Sequence, residues 1–355
     1  MLRNSKSPRG LRKNSVPGPG VPSAAEAAIH FGRRTVRLEA APLQNMGYLR
    51  VFQRPAGKIL CFPSWHASAL VVAIVTLWCL AIPAVAATWS VRAVPAGLVN
   101  GGPVLFRVKT TARIESLTGK WLGHEFPFSF DRSSKTWFGL AGVSFETLPG
   151  QYVLELSGQR KAGDPFTFTQ KFSVRAGSYP KIRAQLTVEG KFTEPTPDQL
   201  KQIDADQKVK EDYLSRVTPD REWDGNFVAP AHAEISDVYG SQRIFNGKAQ
   251  RPHFGLDYRV PTGTPVAAMN KGTVLLARPL YFEGNLVVID HGQGLLTLYL
   301  HLSEIKVKEG ESVSRGQEIG LSGGTGRATG PHLHVAVRWQ GTYLDPARLM
   351  QLQLP

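Results

Sequence analysis

The stretch GNLVVIDHGQGLLTLYLHLS, Gly284 to Ser303, sets two apolar runs on either side of a Gly–Gln–Gly turn. Short runs rich in valine, isoleucine, leucine and tyrosine and bounded by glycines read as buried strands. GTVLLARPL (Gly272–Leu280) precedes them and HLHVAVRW (His332–Trp339) follows with the same pattern. From Trp223 to Pro355 the chain is therefore expected to form an antiparallel β-sheet domain of about 130 residues, ample for its own core.

Within that region VKEGESVSRGQEIG, from Val307, keeps a V-x-x-G-x-x-V-x-x-G-x-x-I rhythm, that of the hairpin in barrel-sandwich hybrids. Upstream, the runs WSVRAV, PVLFRVKT, EFPFSF, YVLEL and FTFTQKFSV recur between turns. Their spacing predicts a small antiparallel sandwich over 88–175, immunoglobulin-like in pattern. Tyr152 stands where a corner tyrosine belongs, while the Cys–Trp–Cys signature is absent. Residues 176–222 read as a linker, extended at first and then helical through TPDQLKQIDADQKVKEDYLSRV. Thr196 can cap that helix, Pro197 suits its first turn and Gln199 completes a capping box. Its apolar positions Leu200, Ile203, Val209, Tyr213 and Val217 are sparse, which predicts a surface helix or connector. The expected class is all-β, in the order sandwich, short helical connector, sheet domain.

The 355 residues carry a formal charge of +14. Eleven Lys/Arg face two Asp/Glu in residues 1–87, leaving 31 against 26 for residues 88–355. The excess sits before Trp89 and gives no reason to expect a nucleic-acid partner. Residues 67–87, ASALVVAIVTLWCLAIPAVAA, are uncharged and long enough to cross a bilayer. Pro83 and the Ala84-x-Ala86 pattern that ends this stretch favour a cleaved secretory signal over an anchor. Export to the periplasm or cell envelope, or secretion, is expected, with membrane contact only through residues 67–87 if uncleaved. Met46 lies a normal distance upstream for such a signal. Cys61 and Cys79 both precede the cleavage point, so the exported chain has neither a disulfide nor a catalytic thiol.

The candidate chemistry lies in two further stretches. RPHFGLDYRV, Arg251 to Val260, places His253 and Asp257 around Gly255, and TGPHLHVAVR, Thr329 to Arg338, places His332 and His334 two apart. Two imidazoles and a carboxylate are the usual ligands of a catalytic zinc. Residues two apart on a strand share a face, with Cα atoms roughly 6–7 Å apart. Four residues of straight strand span roughly 13 Å, too far for one ion, and Gly255 permits the bend that closes the gap. His301 ends an apolar run, where a buried neutral histidine is ordinary, and Asp290 and His291 read as turn-forming or as supports for a ligand. GLSGG around Ser322 matches G-x-S-x-G but lacks the helix a nucleophile elbow needs, and H-E-x-x-H is absent.

HFGLDY, GTPVAA, GNLVVIDHGQGLLTLYLHLS, VKEGESVSRGQEIGLSGGTGRATGPHLH and YLDP, in this order, resemble the lysostaphin/LytM-type zinc endopeptidases. The resemblance implies one Zn2+ per chain, held by His253, Asp257 and His334, with His301 and His332 as the catalytic pair. It implies a fourth zinc position open to water, as hydrolysis requires, and peptidoglycan peptides as substrate. Arg243 and Asn246 in YGSQRIFNG stand at a matching motif, where they shape the groove or merely a turn. An upstream segment covers the groove in some relatives, a role open to residues 175–222. Three rival readings make contrary demands. A non-catalytic peptidoglycan-binding regulator loses ligands, a lipoyl-type carrier wants a lysine at a tight turn, and a structural zinc site has four protein ligands.

Overall fold

A computed structural model describes residues 88–355 except 162, 181 and 182; the apolar run 67–87, both cysteines and Met46 lie outside the described residues. Strands account for 46% and helices for 10% of the described residues, in line with the all-β expectation. Among the described residues no helix is long and apolar enough to cross a membrane.

The strands before residue 176 make two sheets. One runs Trp89–Val94, Pro103–Thr110, Thr136–Gly142, Ser129–Asp131; the other runs Leu98–Val99, Pro165–Arg175, Gly150–Arg160, Ile114–Trp121, His124–Pro127. Alternation explains their packing: Val104, Phe106 and Val108 share a buried face, while Arg107 and Lys109 turn away. Phe106 meets Trp121 edge-on with centroids 5.2 Å apart, and the indole N–H donates to the Gly142 carbonyl at 3.1 Å. Gly119 and Gly139 let the Phe126 ring lie on their backbones, since a Cβ would stand 2.7 or 2.8 Å from it. The Tyr152 hydroxyl donates to the Leu148 carbonyl at 2.8 Å, the bond a corner tyrosine makes.

The C-terminal sheet has the order Ile235–Asp237, Leu256–Tyr258, Leu333–Trp339, Leu295–Leu302, Gly284–Asp290, Gly272–Leu280, Ser312–Val313. Its neighbours are antiparallel throughout. The period-three rhythm after Val307 is realised literally: Val307, Val313 and Ile319 are buried. Between them Gly310 and Gly316 turn the chain at φ of 83° and 81°, where a side chain would be strained. One apolar cluster contains Trp121 and Phe126 from the first sheets together with Trp339 and Leu344 from the last. The N-terminal unit is thus packed directly on the sheet that follows it.

The connector helix covers Pro197–Leu214 and opens with the expected capping box between Thr196 and Gln199. It ends before Val217, which is exposed. It is docked rather than free: Val209, Tyr213 and Leu214 lie on Leu276, Leu286, Val288 and Leu298 of the large sheet. Lys210 pairs with Glu283 at 2.7 Å, and Asp206 accepts the Tyr281 N–H at 2.6 Å.

Asp290 shapes its turn by accepting from the Gly292 N–H and the Thr218 hydroxyl, each at 2.8 Å. His291 is fully buried, its Nδ1–H donating to the Lys271 carbonyl at 2.7 Å and its Nε2 meeting the Thr297 hydroxyl at 2.8 Å. Burial pushes its pKa down from 6.5 to about 4. The folded state therefore favours the neutral ring, and the unfolded state binds more protons between those two values. His291's contribution is complete above the unfolded pKa and is lost as pH falls towards 4, up to about 3 kcal/mol. Melting temperatures of metal-free protein should fall across this window, and His291→Gln should flatten the slope; an unchanged slope would assign the acid sensitivity elsewhere.

Candidate metal centre

Asp257 lies on the strand Leu256–Tyr258, directly opposite His334 on the strand Leu333–Trp339. Facing residues of an antiparallel pair carry their side chains on the same side of the sheet, so both point into one space. His253 lies before the Asp257 strand, and the chain bends at Gly255 to bring it back. His253 Nε2 is 2.9 Å from His334 Nδ1 and 3.2 Å from Asp257 Oδ1, and His334 Nδ1 is 2.8 Å from the same oxygen. A tetrahedral ion with bonds of about 2.1 Å wants donors about 3.4 Å apart, so this triangle is close to the required size. Gly255 is needed for closeness as well as for the bend. A Cβ there would stand 2.5 Å from His334 Cε1 and 2.6 Å from the Val335 carbonyl oxygen.

The surroundings fix which atoms face the triangle. His253 Nδ1 donates to the Val238 carbonyl at 3.0 Å, which leaves the Nε2 lone pair for an ion. Asp257 Oδ2 is bound by the Arg243 guanidinium, which also holds Asp237 through Nη2 at 2.6 Å and Nε at 2.8 Å. Burial alone would raise the Asp257 pKa, but the His253 and His334 imidazoles beside it outweigh that and hold the carboxyl well below its usual range. His334 is pushed down to about 4 by burial, against the pull of Asp257. Two imidazoles and one carboxylate are a donor set a zinc ion takes, with a fourth position open.

The other two histidines face the same space. The His301 and His332 rings have centroids 4.8 Å apart, and His301 lies 6.1 Å from the His334 ring. His301 Nδ1 donates to the Thr325 carbonyl and His332 Nδ1 to the Gly330 carbonyl, both at 2.8 Å. Each ring therefore presents its Nε2, and that of His332 is 3.9 Å from Asp257 Oδ1. His301 has a φ of 62°, rare for a residue with a side chain and characteristic of functional sites. Burial, together with the neighbouring His332 and His334, lowers its pKa to about 3.

All five sequence-selected residues thus meet in one place. Sequence reasoning undervalued Arg243, offered there equally as a turn residue, and passed over Arg327, which lines the adjoining cleft of about 360 Å³. Asn246 does hold a turn, at φ 49°, and clasps the linker through the Val188 backbone at 2.9 and 3.1 Å. The linker strand Arg183–Leu186 pairs in parallel with Gln242–Phe245, and Ala184 and Leu186 form part of the cleft wall.

A β-sheet carrying a His–Asp–His triangle beside two oriented histidines is a candidate hydrolytic metal centre. Residues 251–346 match the model of Peptidase family M23, and the chain carries a domain of that family. It is 49% identical over 176 residues to the peptidoglycan DD-endopeptidase ShyA of Vibrio cholerae, covering 49% of this chain and 36% of that protein. It is 45% identical over 121 residues to the DD-carboxypeptidase/endopeptidase Mpg of Neisseria meningitidis, covering 34% and 28%. The matches thus span little more than a third of these relatives at most. The crystal structure of a putative M23 peptidase from Pseudomonas aeruginosa superposes with a TM-score of 0.55 at 28% identity, over 71% of this chain and 94% of that one.

Gly255→Ala should weaken divalent-metal binding by tenfold or more, because its methyl displaces His334 from the triangle. Competition with a chromogenic chelator measures this, and an unchanged affinity would show that the ring can shift without losing its place.

Proposed function

We propose that the chain is an exported zinc endopeptidase that hydrolyses peptide bonds in peptidoglycan stem or cross-link peptides. His253, Asp257 and His334 are its metal ligands, and His301 and His332 its catalytic histidines. The observation that carries this reading is the donor triangle with two anchored Nε2 atoms beside it in an open cleft. When bound there, zinc supplies a Lewis acid and a water acidic enough to attack a carbonyl at neutral pH. Backbone carbonyls hold the Nδ1 sides of His332 and His301, so each ring turns its Nε2 to the cleft, where it can orient a water and take up its proton. Having taken it, the ring can return it to the leaving amine or donate to the developing oxyanion. Arg243 pairs with Asp257 Oδ2 and so leaves Oδ1 turned towards the triangle. The names of the relatives support peptidoglycan as substrate, and the uncharged run 67–87 supports export. The N-terminal sandwich, read as immunoglobulin-like on its strand pattern and the Tyr152 bond, forms a positioning module over 88–175. The linker over 176–222 joins it to the peptidase domain over 223–355.

Zinc-loaded protein incubated with isolated peptidoglycan should release new peptide ends, detected by mass spectrometry of the muropeptides. His334→Ala should release none. Intact cross-links at full zinc occupancy would favour the regulator instead.

We further infer that the strand Arg183–Leu186 narrows the cleft towards bulky substrate. Leu186 packs on the small cluster of Val188, Phe192 and Phe245, where a charge is costly. Leu186→Asp should therefore free the strand and raise hydrolysis of intact sacculi several-fold more than that of short peptides. Equal effects on both would remove the idea.

A further inference from the structure

The cleft that adjoins the donor triangle contains two acids and three arginines, and most of these are already engaged. Asp237 and Asp257 are both bound by Arg243, and Arg259 lies 3.7 Å from Glu234 on the exposed rim. Arg327 is different. Its guanidinium lies 4.6 Å from the Phe282 ring centroid and 5.3 Å from that of Phe245. Its side chain makes one hydrogen bond among the described residues, a long one of 3.4 Å to Gln250 Oε1. Glu283, whose charge it feels, is held by Lys210 at 2.7 Å. Burial lowers its pKa, yet a guanidinium stays charged in proteins. A cation that stacks on aromatic faces, lines a cleft and has no acid bound to it among the described residues is equipped for a carboxylate from outside.

The backbone that carries Arg327 is held in place. Its N–H donates to the Phe282 carbonyl at 2.8 Å. Gly326, at φ 70°, lies so close to Gly284 that a Cβ would stand 2.2 Å from the Gly284 nitrogen. Two residues before Arg327, the Thr325 carbonyl accepts the Nδ1–H of His301. One short loop therefore orients a candidate catalytic ring and presents the arginine.

Placement and chemistry identify the carboxylate. Arg327 lines the same open cleft as His301 and His332, so the group it meets belongs to a residue next to the scissile bond. The main-chain carboxyl of the residue on the acyl side is the scissile carbonyl itself. The free main-chain carboxylate next to that bond must belong to the residue whose amine is released.

We propose that Arg327 is the specificity-determining residue of the cleft, holding the free carboxylate of the peptide residue that leaves as the amine. The proposal rests on the peptidase reading above and adds to it a substrate class: peptides whose leaving residue carries an unblocked carboxylate. A stem peptide ending in two D-alanines is of this class, and so is a cross-link made to an amine beside a free carboxylate.

The test uses the full chain and a matched pair of N-acetylated tripeptides ending in D-Ala–D-Ala, one a free acid and one a carboxamide. Calorimetry on metal-free protein reads binding, and the zinc-loaded protein reads kcat and KM. Wild type should bind the acid at least tenfold more tightly than the amide. Arg327→Gln should bind both as wild type binds the amide, with the loss for the acid appearing in KM, and Arg327→Lys should restore part of the preference. An equal loss for both peptides in Arg327→Gln would show that the residue only braces Phe245 and Phe282, and would overturn the proposal. So would a wild type that does not discriminate, or a preference abolished by Arg259→Gln instead. Discrimination in binding without turnover of either peptide would leave the carboxylate site standing and remove the peptidase reading.

Discussion

The candidate site depends on the pairing of Asp257 with His334 across two adjacent strands. Strand side chains alternate with period two, so a slip of one residue would send one of the pair to the opposite face and dismantle the triangle. The register is secured from both sides. Leu256 and Tyr258, which flank Asp257, are buried, as are Leu333 and Val335, which flank His334. His334 is also paired with Leu300 on its other side, which brings His301 alongside. The apolar residues fix the register, and the polar ones between them inherit their positions from it.

A carboxylate in this setting needs compensation, because burial of an unpaired charge is costly. Arg243 supplies it, and in doing so ties three segments together: its own strand Gln242–Phe245, Asp237 on the edge strand and Asp257 at the centre. The same strand pairs with the linker at Arg183–Leu186. The polar support of the centre and the wall of the cleft therefore share one element, and a displacement of the linker acts on the strand that carries Arg243.

How much of this was legible depends on the range of each interaction. The glycine–valine rhythm after Val307, the capping box at Thr196 and the hairpin from Gly284 to Ser303 are local, and their residue types dictate them. The H-x-x-x-D spacing was legible as a problem, since a straight strand holds its ends too far apart, and the bend at Gly255 is the answer. The second reason for that glycine, the His334 ring against its backbone, comes from a strand 77 residues away from Asp257 and has no local sign. The parallel pairing of the linker and the docking of the helix on Leu276 and Leu286 were likewise hidden. The helix's sparse apolar positions read as those of a free surface helix because the apolar contact with the sheet is confined to Val209, Tyr213 and Leu214 near its C-terminus. Gly142, against which Leu344 packs, shows the same limit for the contact between the N-terminal unit and the sheet.

His301 is the place where local preference and tertiary structure conflict most plainly. A histidine at φ 62° costs of order 1–3 kcal/mol relative to an ordinary strand residue. Its N–H donates to the Glu283 carbonyl at 2.9 Å, and its ring to the Thr325 carbonyl. Both partners belong to turns held against each other by Gly284 and Gly326, which approach too closely for any side chain. The glycines let the turns meet, the turns over-determine His301, and the ring takes up a position beside His332 that a regular strand would deny it. The strain is thus offset by contacts made at positions that carry no chemistry, which is why the run TLYLHL by itself reads as an ordinary buried strand.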